Sequence, residues 1–294
     1  MNSWPAIGDQ ISATTGNPFI IREAHAVGGG CINETVWITD GQQRYFVKLN
    51  VPDGIAMFEA EADGLMEIHR TQTIRVPLPI CYGHDKKSAW LVLEYLHLRS
   101  GRPASSSKLG VQLAAMHRVT APQFGWNRHN TIGQTPQINT YTTNWTDFWR
   151  TYRLGYQLDL AGKNGHLGKL QKLGEQLLVN LDSFLAGATP RPSLLHGDLW
   201  SGNHAFDNGG KPVLFDPAVY YGDRETDIAM TELFGGFSSD FYSAYQHEYP
   251  LDSGYNVRKL IYNLYHILNH LNLFGSSYRQ QAEHILGTLL AEIH

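Results

Sequence analysis

Leu195-His196-Gly197-Asp198-Leu199-Trp200-Ser201-Gly202-Asn203 is the stretch on which the reading of this 294-residue chain turns. It carries the spacing H-x-D-L-x-x-x-N, with four residues between Asp198 and Asn203. Transfer of a phosphoryl group to a hydroxyl needs both residue types at that spacing. An Asp accepts or orients the proton of the attacking hydroxyl, and an Asn just beyond it reaches a metal that bridges nucleotide phosphates. A capped polar turn would show similar letters, so the neighbours decide. Thirteen residues after Asn203, Val213-Leu214-Phe215-Asp216 sets a carboxylate at the end of a short apolar run. Magnesium takes hard oxygen ligands, commonly one or two carboxylates beside phosphate oxygens. Asn203 and Asp216 supply such a set.

Upstream, Tyr45-Phe46-Val47-Lys48 is a strand of V-A-I-K type, whose Lys holds the α- and β-phosphates of a nucleotide. Such a Lys needs a helix carboxylate beside it. Glu61 is the expected partner and Glu59 the alternative, since residues two apart on a helix point different ways. Gly28-Gly29-Gly30-Cys31-Ile32-Asn33 lies between two strand-like runs, where glycines let backbone N–H groups approach phosphates. It is not G-x-G-x-x-G, and no G-x-x-x-x-G-K-[ST] occurs, which disfavours a P-loop enzyme. By order along the chain, Glu94, Tyr95 and Leu96 form a hinge whose backbone bonds the adenine edge.

The pattern outside these residues agrees. Strand-like runs cover residues 20–27, 35–39 and 45–49, with Asp40-Gly41 as a hairpin turn. Helical periodicity follows over 57–70, with Phe58, Ala62, Leu65 and Ile68 on one side. Two further strands, 80–83 and 90–93, flank the turn Asp85-Lys86-Lys87-Ser88. After the linker-like residues 99–103 the chain reads as helical: a helix through Leu109, Leu113 and Met116 capped at Ser105 or Ser106, then 145–160, 167–185, 227–234, 240–247, 258–274 and 278–293. Residues 213–215 read as a short apolar run in a loop. Five strands with one helix between the third and fourth, then a helical remainder, predict the two-lobed protein-kinase-like fold. Its class is α+β, with a nucleotide-binding lobe at 1–95 and a catalytic and acceptor-binding lobe at 96–294.

Composition narrows the function. A net charge of −4 and the lack of any basic run argue against nucleic-acid binding. Two cysteines, Cys31 and Cys81, make no disulfide framework and fit a reducing cytoplasm. The N-terminus has no signal-peptide pattern, and no apolar run approaches a membrane span, so no membrane partner is expected. His266 and His270 stand i, i+4 but lack the intervening Glu of H-E-x-x-H and a third ligand, which speaks against zinc. His196 is assigned a structural role in its loop. The aromatics from Tyr141 to Tyr156 read mostly as helix core. Cys31 reads as an ordinary small loop residue, with oxidation that crosslinks protomers or blocks the site as the sharper alternative.

His196 to Asn203 resembles the H-G-D-L-W-x-G-N of fructosamine and ketosamine kinases. Trp200 is the informative letter, since the wider aminoglycoside and choline kinase relatives share H-G-D but not usually the Trp. Phe215-Asp216-Pro217-Ala218, Tyr221 to Asp227, Gly235-Gly236-Phe237 with Phe241, Tyr242 and Tyr245, Leu264 to Gly275 and the Gly28 to Asn33 loop are similar too. Pro217 stands where protein kinases have Phe-Gly, so no protein-kinase activation loop is expected. The resemblance implies ATP and Mg²⁺ as cofactors and phosphorylation of the sugar 3-hydroxyl of ketosamines, small or protein-bound, which then break down and release the amine. It implies roles for Asp198 as base, Lys48 braced by Glu61, and Trp200 as a wall of the sugar site. The chain would act as a monomer or homodimer. Two rivals stay open: a kinase of another small alcohol (aminoglycoside, choline or homoserine), for which an acidic acceptor pocket would speak, and a nucleotide-binding pseudokinase.

Overall fold

The computed structural model describes residues 3–28, 32–101 and 103–292. Helix α1 (Trp4–Thr15) opens the chain, with Pro5 in its first turn and Gly16 closing it at φ 71°. The sequence reading has no helix here. Strands β1 (Glu23–Ala26), β2 (Glu34–Thr39) and β3 (Arg44–Asn50) lead to α2 (Ile55–Arg70), and β4 (Pro79–His84) and β5 (Ala89–Glu94) follow. The five strands form one antiparallel sheet in the order β1-β2-β3-β5-β4.

Strand alternation divides the sheet's two faces. Val36, Ile38, Val47, Trp90 and Val92 pack outward on Ile7 and Ile11 of α1. Leu91 and Leu93 face inward to Phe58, Ala62 and Leu65 of α2 and the helices beyond. Both faces of β5 are thus covered, which is why Ala89-Trp90-Leu91-Val92-Leu93 is apolar without a break. Gln10 fastens α1 to the sheet edge: its Oε1 accepts from Trp90 Nε1 at 2.7 Å and its Nε2 donates to Tyr82 O at 2.6 Å.

The larger part of the chain is mainly helical. Helix α3 (Pro103–His117) begins ahead of Ser105 and Ser106, so neither is its cap. A hairpin absent from the sequence reading, β6 (Asn130–Ile132) with β7 (Thr135–Gln137), follows. The helix expected over 145–160 is α4 (Trp145–Trp149) and α5 (Tyr156–Lys163) joined by a π-helical turn at Arg150–Gly155. Helix α6 (Lys169–Leu185) precedes β8 (Ser193–Leu195). Next come β9 (His204–Phe206), β10 (Pro212–Leu214) and β11 (Tyr220–Gly222). The chain ends in α7 (Glu225–Leu233), α8 (Ser239–Glu248), α9 (Tyr255–Phe274) and α10 (Arg279–Ala291). Helix α9 is buried on nearly every side from Ile261 to Asn269. Arg99, expected in a linker, exchanges both backbone bonds with Phe206. No helix among the described residues is long and apolar enough to cross a membrane.

Candidate active site

Two nested strand pairs build the site. Strand β8 pairs with β11, and β9 pairs with β10 inside them. The loop after β8 (196–203) and the loop after β10 (215–219) are therefore held face to face at the bottom of the cleft between the sheet and the helices. His196 joins them. Its Nε2–H donates to Phe215 O at 3.0 Å, its Nδ1 accepts from Asp198 N at 3.3 Å, and its carbonyl accepts from Ala218 N at 2.8 Å. Burial keeps this ring neutral, as that bonding pattern requires. Gly197 is needed for the same closeness. It sits at φ 83°, and a Cβ there would lie 2.1 Å from Ala218 O.

Asp198 leaves this loop partly buried. Burial, then the charge of Asp216, pushes its carboxyl up to about 7. Asn203 Nδ2 donates to Asp198 O at 2.8 Å and Asp198 Oδ2 at 3.2 Å, which leaves the Asn203 Oδ1 lone pairs turned elsewhere. Asp216 holds φ 57°, a left-handed conformation that Asp tolerates better than most residues. Its Oδ1 accepts from Lys48 Nζ at 2.6 Å. Lys48, 4% exposed, also donates to Glu61 Oε1 at 2.6 Å. Burial alone would lower the Lys48 pKa, but the two carboxylates outweigh it and raise it. Glu59, the other candidate, faces Arg128.

The cleft around these groups has a volume of about 1040 Å³. Gly28, Asn33, Lys48, Glu61, Glu94, Tyr95, Leu96, Asp198, Trp200, Asn203 and Asp216 all line it. Gly29, Gly30 and Cys31 lie outside the described residues. Asn33 Oδ1 accepts from Asn50 Nδ2 at 2.7 Å. At the hinge, Glu94 N donates to Leu78 O, and the Glu94 side chain pairs with Arg75 at 2.7 Å. Phe46, Met57 and Leu93 add apolar walls at this end. Cys81 is buried away from the cleft, and burial pushes its thiol up to about 12.

At the other end, Trp200, 38% exposed and expected there, shares the cleft with His266 and His270, considered from the sequence only as a metal pair, and with Phe234, Phe274 and Tyr278, which sequence reasoning did not single out. The His270 ring packs on Phe234, Phe274 and Tyr278 at 4.7, 5.4 and 5.1 Å between centroids. The tip of the β6–β7 hairpin, Gly133, reaches Ile32 and Leu273. Asp227 lies behind the 196–203 loop and holds it. It accepts from His196 N at 2.7 Å, Gly197 N at 2.9 Å and His117 Nε2 at 3.2 Å. Burial would raise its pKa, but the bonds from His117 and the backbone hold it below the usual carboxylate range. The only signal for Asp227 was its place in the 221–227 segment.

His266 has a thermodynamic signature that can be measured. Burial, then the neighbouring His270, pushes its pKa down to about 3. A folded pKa below the unfolded value means that the unfolded chain takes up a proton near pH 6.5 while the native chain does not. Stability from this residue is thus complete above pH 6.5 and drains away as pH falls. His266→Phe removes that term. Between pH 7 and pH 5 the variant should gain on the order of 2 kcal/mol relative to wild type in urea unfolding. A wild-type-minus-variant difference that does not change with pH would show that the imidazole titrates normally in the folded chain.

The chain as a whole is similar to known proteins. The fructosamine kinase family model matches residues 3–292. A protein of Synechocystis sp. named probable ketoamine kinase is 50% identical over 96% of this chain and 95% of its own length. The chloroplastic protein-ribulosamine 3-kinase of Arabidopsis thaliana is 41% identical over 94% of this chain and 85% of its own. A crystal structure assigned as a fructosamine-3-kinase from Haemophilus somnus superposes with a TM-score of 0.91 at 32% identity, covering 98% of this chain and 97% of that one. An aminoglycoside phosphotransferase, APH(4)-Ia, superposes at 0.64 with 12% identity, which speaks to fold alone. Matched end to end in sequence and in structure, the chain belongs to the fructosamine kinase family.

Proposed function

We propose that this protein is an ATP-dependent kinase that phosphorylates the sugar 3-hydroxyl of ketosamines. The observation that carries the reading is the position of Asp198. It stands where a Lys48–Glu61–Asp216 cluster suited to nucleotide phosphates meets an aromatic wall suited to a sugar. We assign residues 1–95 to nucleotide binding and 96–294 to acceptor binding and catalysis.

Lys48, fixed by Glu61, orients the α- and β-phosphates, and the backbone of 28–33 approaches them from above. Glu94, Tyr95 and Leu96 face the adenine edge. The donor set fits magnesium: the Asp216 carboxylate and the free Asn203 Oδ1 are hard oxygens close to Asp198. Mg²⁺ held there would offset the charge of the β- and γ-phosphates. Asp198 Oδ accepts the proton of the attacking hydroxyl and holds that oxygen in line with the γ-phosphorus. Trp200 covers the sugar. Positioning and electrostatics supply most of the rate.

The acceptor wall also weighs between alcohols. The carboxylates that line the cleft are Glu61, Glu94, Asp198 and Asp216. Glu61 and Glu94 are paired with Lys48 and Arg75, and none of the four lies on α9 or beside Phe234. A polycationic aminoglycoside would meet aromatic rings where it needs acidic partners. The full set Lys48, Asp198, Asn203 and Asp216 speaks against a pseudokinase.

The test is ATP consumption by purified protein with Mg²⁺, comparing ribulose-lysine and fructose-lysine with free sugars and aminoglycosides. We expect turnover of a ketosamine and its loss on chelation by EDTA. Turnover confined to an aminoglycoside or another alcohol would overturn the substrate, and nucleotide binding without any acceptor turnover would overturn the activity.

A further inference from the structure

The loop that carries Asp216 is held on both sides of that residue. On one side, Phe215 N donates to Asn203 O at 3.1 Å, and Phe215 O accepts from His196 Nε2 at 3.0 Å. On the other, Ala218 O accepts from Gln137 Nε2 at 3.0 Å and Val219 O accepts from Asn130 Nδ2 at 2.8 Å. Between them Asp216 keeps its left-handed backbone, φ 57°. A non-glycine residue persists there only where its surroundings impose that conformation. In β11, which follows at once, the backbone pairs with that of β8, but at 218 and 219 side-chain amides take that place. Both amides come from the β6–β7 hairpin. Two strands of three residues do not hold together alone, so hairpin and loop support each other.

The sense of these bonds is fixed from the helical body. Arg153 is fully buried in the π-helical turn and forms no ion pair with a carboxylate among the described residues. Its guanidinium lies over the rings of Tyr220 and Phe148, at 4.1 and 4.6 Å. A guanidinium can only donate, and its Nη2 does so to Asn139 Oδ1 at 2.8 Å. Asn139 Nδ2 must then face Asn130 Oδ1, at 2.9 Å, which leaves Asn130 Nδ2 for Val219 O. A second line starts on α9. Tyr265 OH donates to Gln137 Oε1 at 2.8 Å, and Gln137 Nε2 serves both Asn130 Oδ1, at 2.9 Å, and Ala218 O. Gln137 is 1% exposed and Asn139 0%. Both lines run one way and end on carbonyls that can only accept. A buried polar network with its members paired specifies a single arrangement, and here that arrangement ends two residues from Asp216.

We propose that Asn130 and Gln137 are positioning residues for the reaction. Through the carbonyls of Val219 and Ala218 they set the direction of the Asp216 carboxylate, and so the affinity of Asp216 and Asn203 for Mg²⁺. The assignment rests on the kinase reading given above, in which Asp216 is a metal ligand.

The experiment is calorimetric titration of a non-hydrolysable ATP analogue into the full chain, once with EDTA and once with Mg²⁺, for wild type, Gln137→Met and Asn130→Ser. The metal-free titration reports folding and the Lys48 end of the site, and each variant should stay close to wild type there. With Mg²⁺ the affinity of Gln137→Met should fall roughly ten-fold, as when a group that orients a metal ligand is removed. Asn130→Ser cuts the link to Val219 O without adding bulk. It should move the same way, and it carries the test if Gln137→Met does not fold. In steady state the Mg²⁺ concentration for half-maximal rate should rise more than kcat at saturating Mg²⁺ falls. An equal loss with and without Mg²⁺ is what a merely structural role predicts, and it would overturn the assignment. Unchanged affinity under both conditions would overturn it too, and either result leaves the kinase reading intact. A wild type whose affinity for the analogue does not respond to Mg²⁺ would instead remove Asp216 from the role of metal ligand, and the proposal with it.

Discussion

Asp198→Asn should lower kcat for a ketosamine by on the order of 10²–10⁴, the range expected for loss of a positioned base. The substitution changes little else. Asn203 Nδ2 can still donate to the carbonyl of residue 198 and to a side-chain oxygen there, so the loop keeps its shape. Lys48, Glu61 and Asp216 are untouched, and nucleotide affinity should stay near wild type. Stability should move the other way. The folded pKa of Asp198 is raised to about 7, above the unfolded value, so stability is lost as pH climbs from the ordinary carboxylate range to 7, and the full cost stands at pH 8. An amide in its place has no such cost. The variant should be at least as stable as wild type near pH 8, which is the trade expected of a functional carboxylate held where folding alone would not put it. Steady-state turnover and urea unfolding at pH 8 together check this. Near-wild-type turnover would remove Asp198 from the role of base.

How much of this was legible in the sequence follows from where each constraint lies along the chain. Asp198 and Asn203 share one loop, so their spacing alone fixes their relation. Lys48 and Glu61 lie on adjacent elements, β3 and α2, and helical direction allowed only one of Glu59 and Glu61 to face the lysine without deciding which; the fold brings Glu61 to it. Strand β2 followed from alternating β-branched residues beside the Asp40-Gly41 turn, and β5 from a short apolar run beside the turn Asp85 to Ser88. Helix α1 escaped the sequence reading: it is short, Pro5 and Gly16 stand at its ends, and Gly8 lies within it. The β6–β7 hairpin owes its form to distant partners: Asn130 Nδ2 donates to Val219 O and Gln137 Nε2 to Ala218 O. No local pattern announces such bonds. The aromatic wall of the cleft escaped for a different reason. Because α9 is buried almost all round from Ile261 to Asn269, polar residues included, periodicity cannot separate side chains that face the cleft from those in the core. His266 and His270 were visible as a pair, but the question asked of them was metal, and that they line the cleft emerges only from the fold.

Asp227 shows the same limit most sharply, and its replacement by Asn is the second large effect expected. Its two oxygens accept three bonds, from His196 N, Gly197 N and His117 Nε2. The direction of the surrounding chain is fixed. Arg224 Nη1 donates to Tyr245 OH, Tyr245 OH donates to His117 Nδ1, and His117 Nε2–H donates to Asp227. An Asn at 227 must turn its NH₂ toward at least one of these donors. A tautomer switch at His117 would not help, because Nδ1–H would then face the Tyr245 hydroxyl and leave that proton without an acceptor. At least one buried N–H stays unpaired, at roughly 1–3 kcal/mol. The bonds that remain lose the strength that a charged acceptor gave them, which brings the expected total to about 3–5 kcal/mol. The strain falls on the amides of His196 and Gly197, which precede Asp198 directly. Turnover should therefore drop at least ten-fold even where the variant is fully folded, since a small misplacement of a reacting group has a disproportionate effect on rate. Urea unfolding and kcat measured at 20 °C separate the two consequences. A variant within about 1 kcal/mol of wild type would show that β8, β11 and His196 hold the loop without Asp227. Full stability loss with unchanged kcat per folded molecule would confine Asp227 to the fold and detach it from the placement of the base.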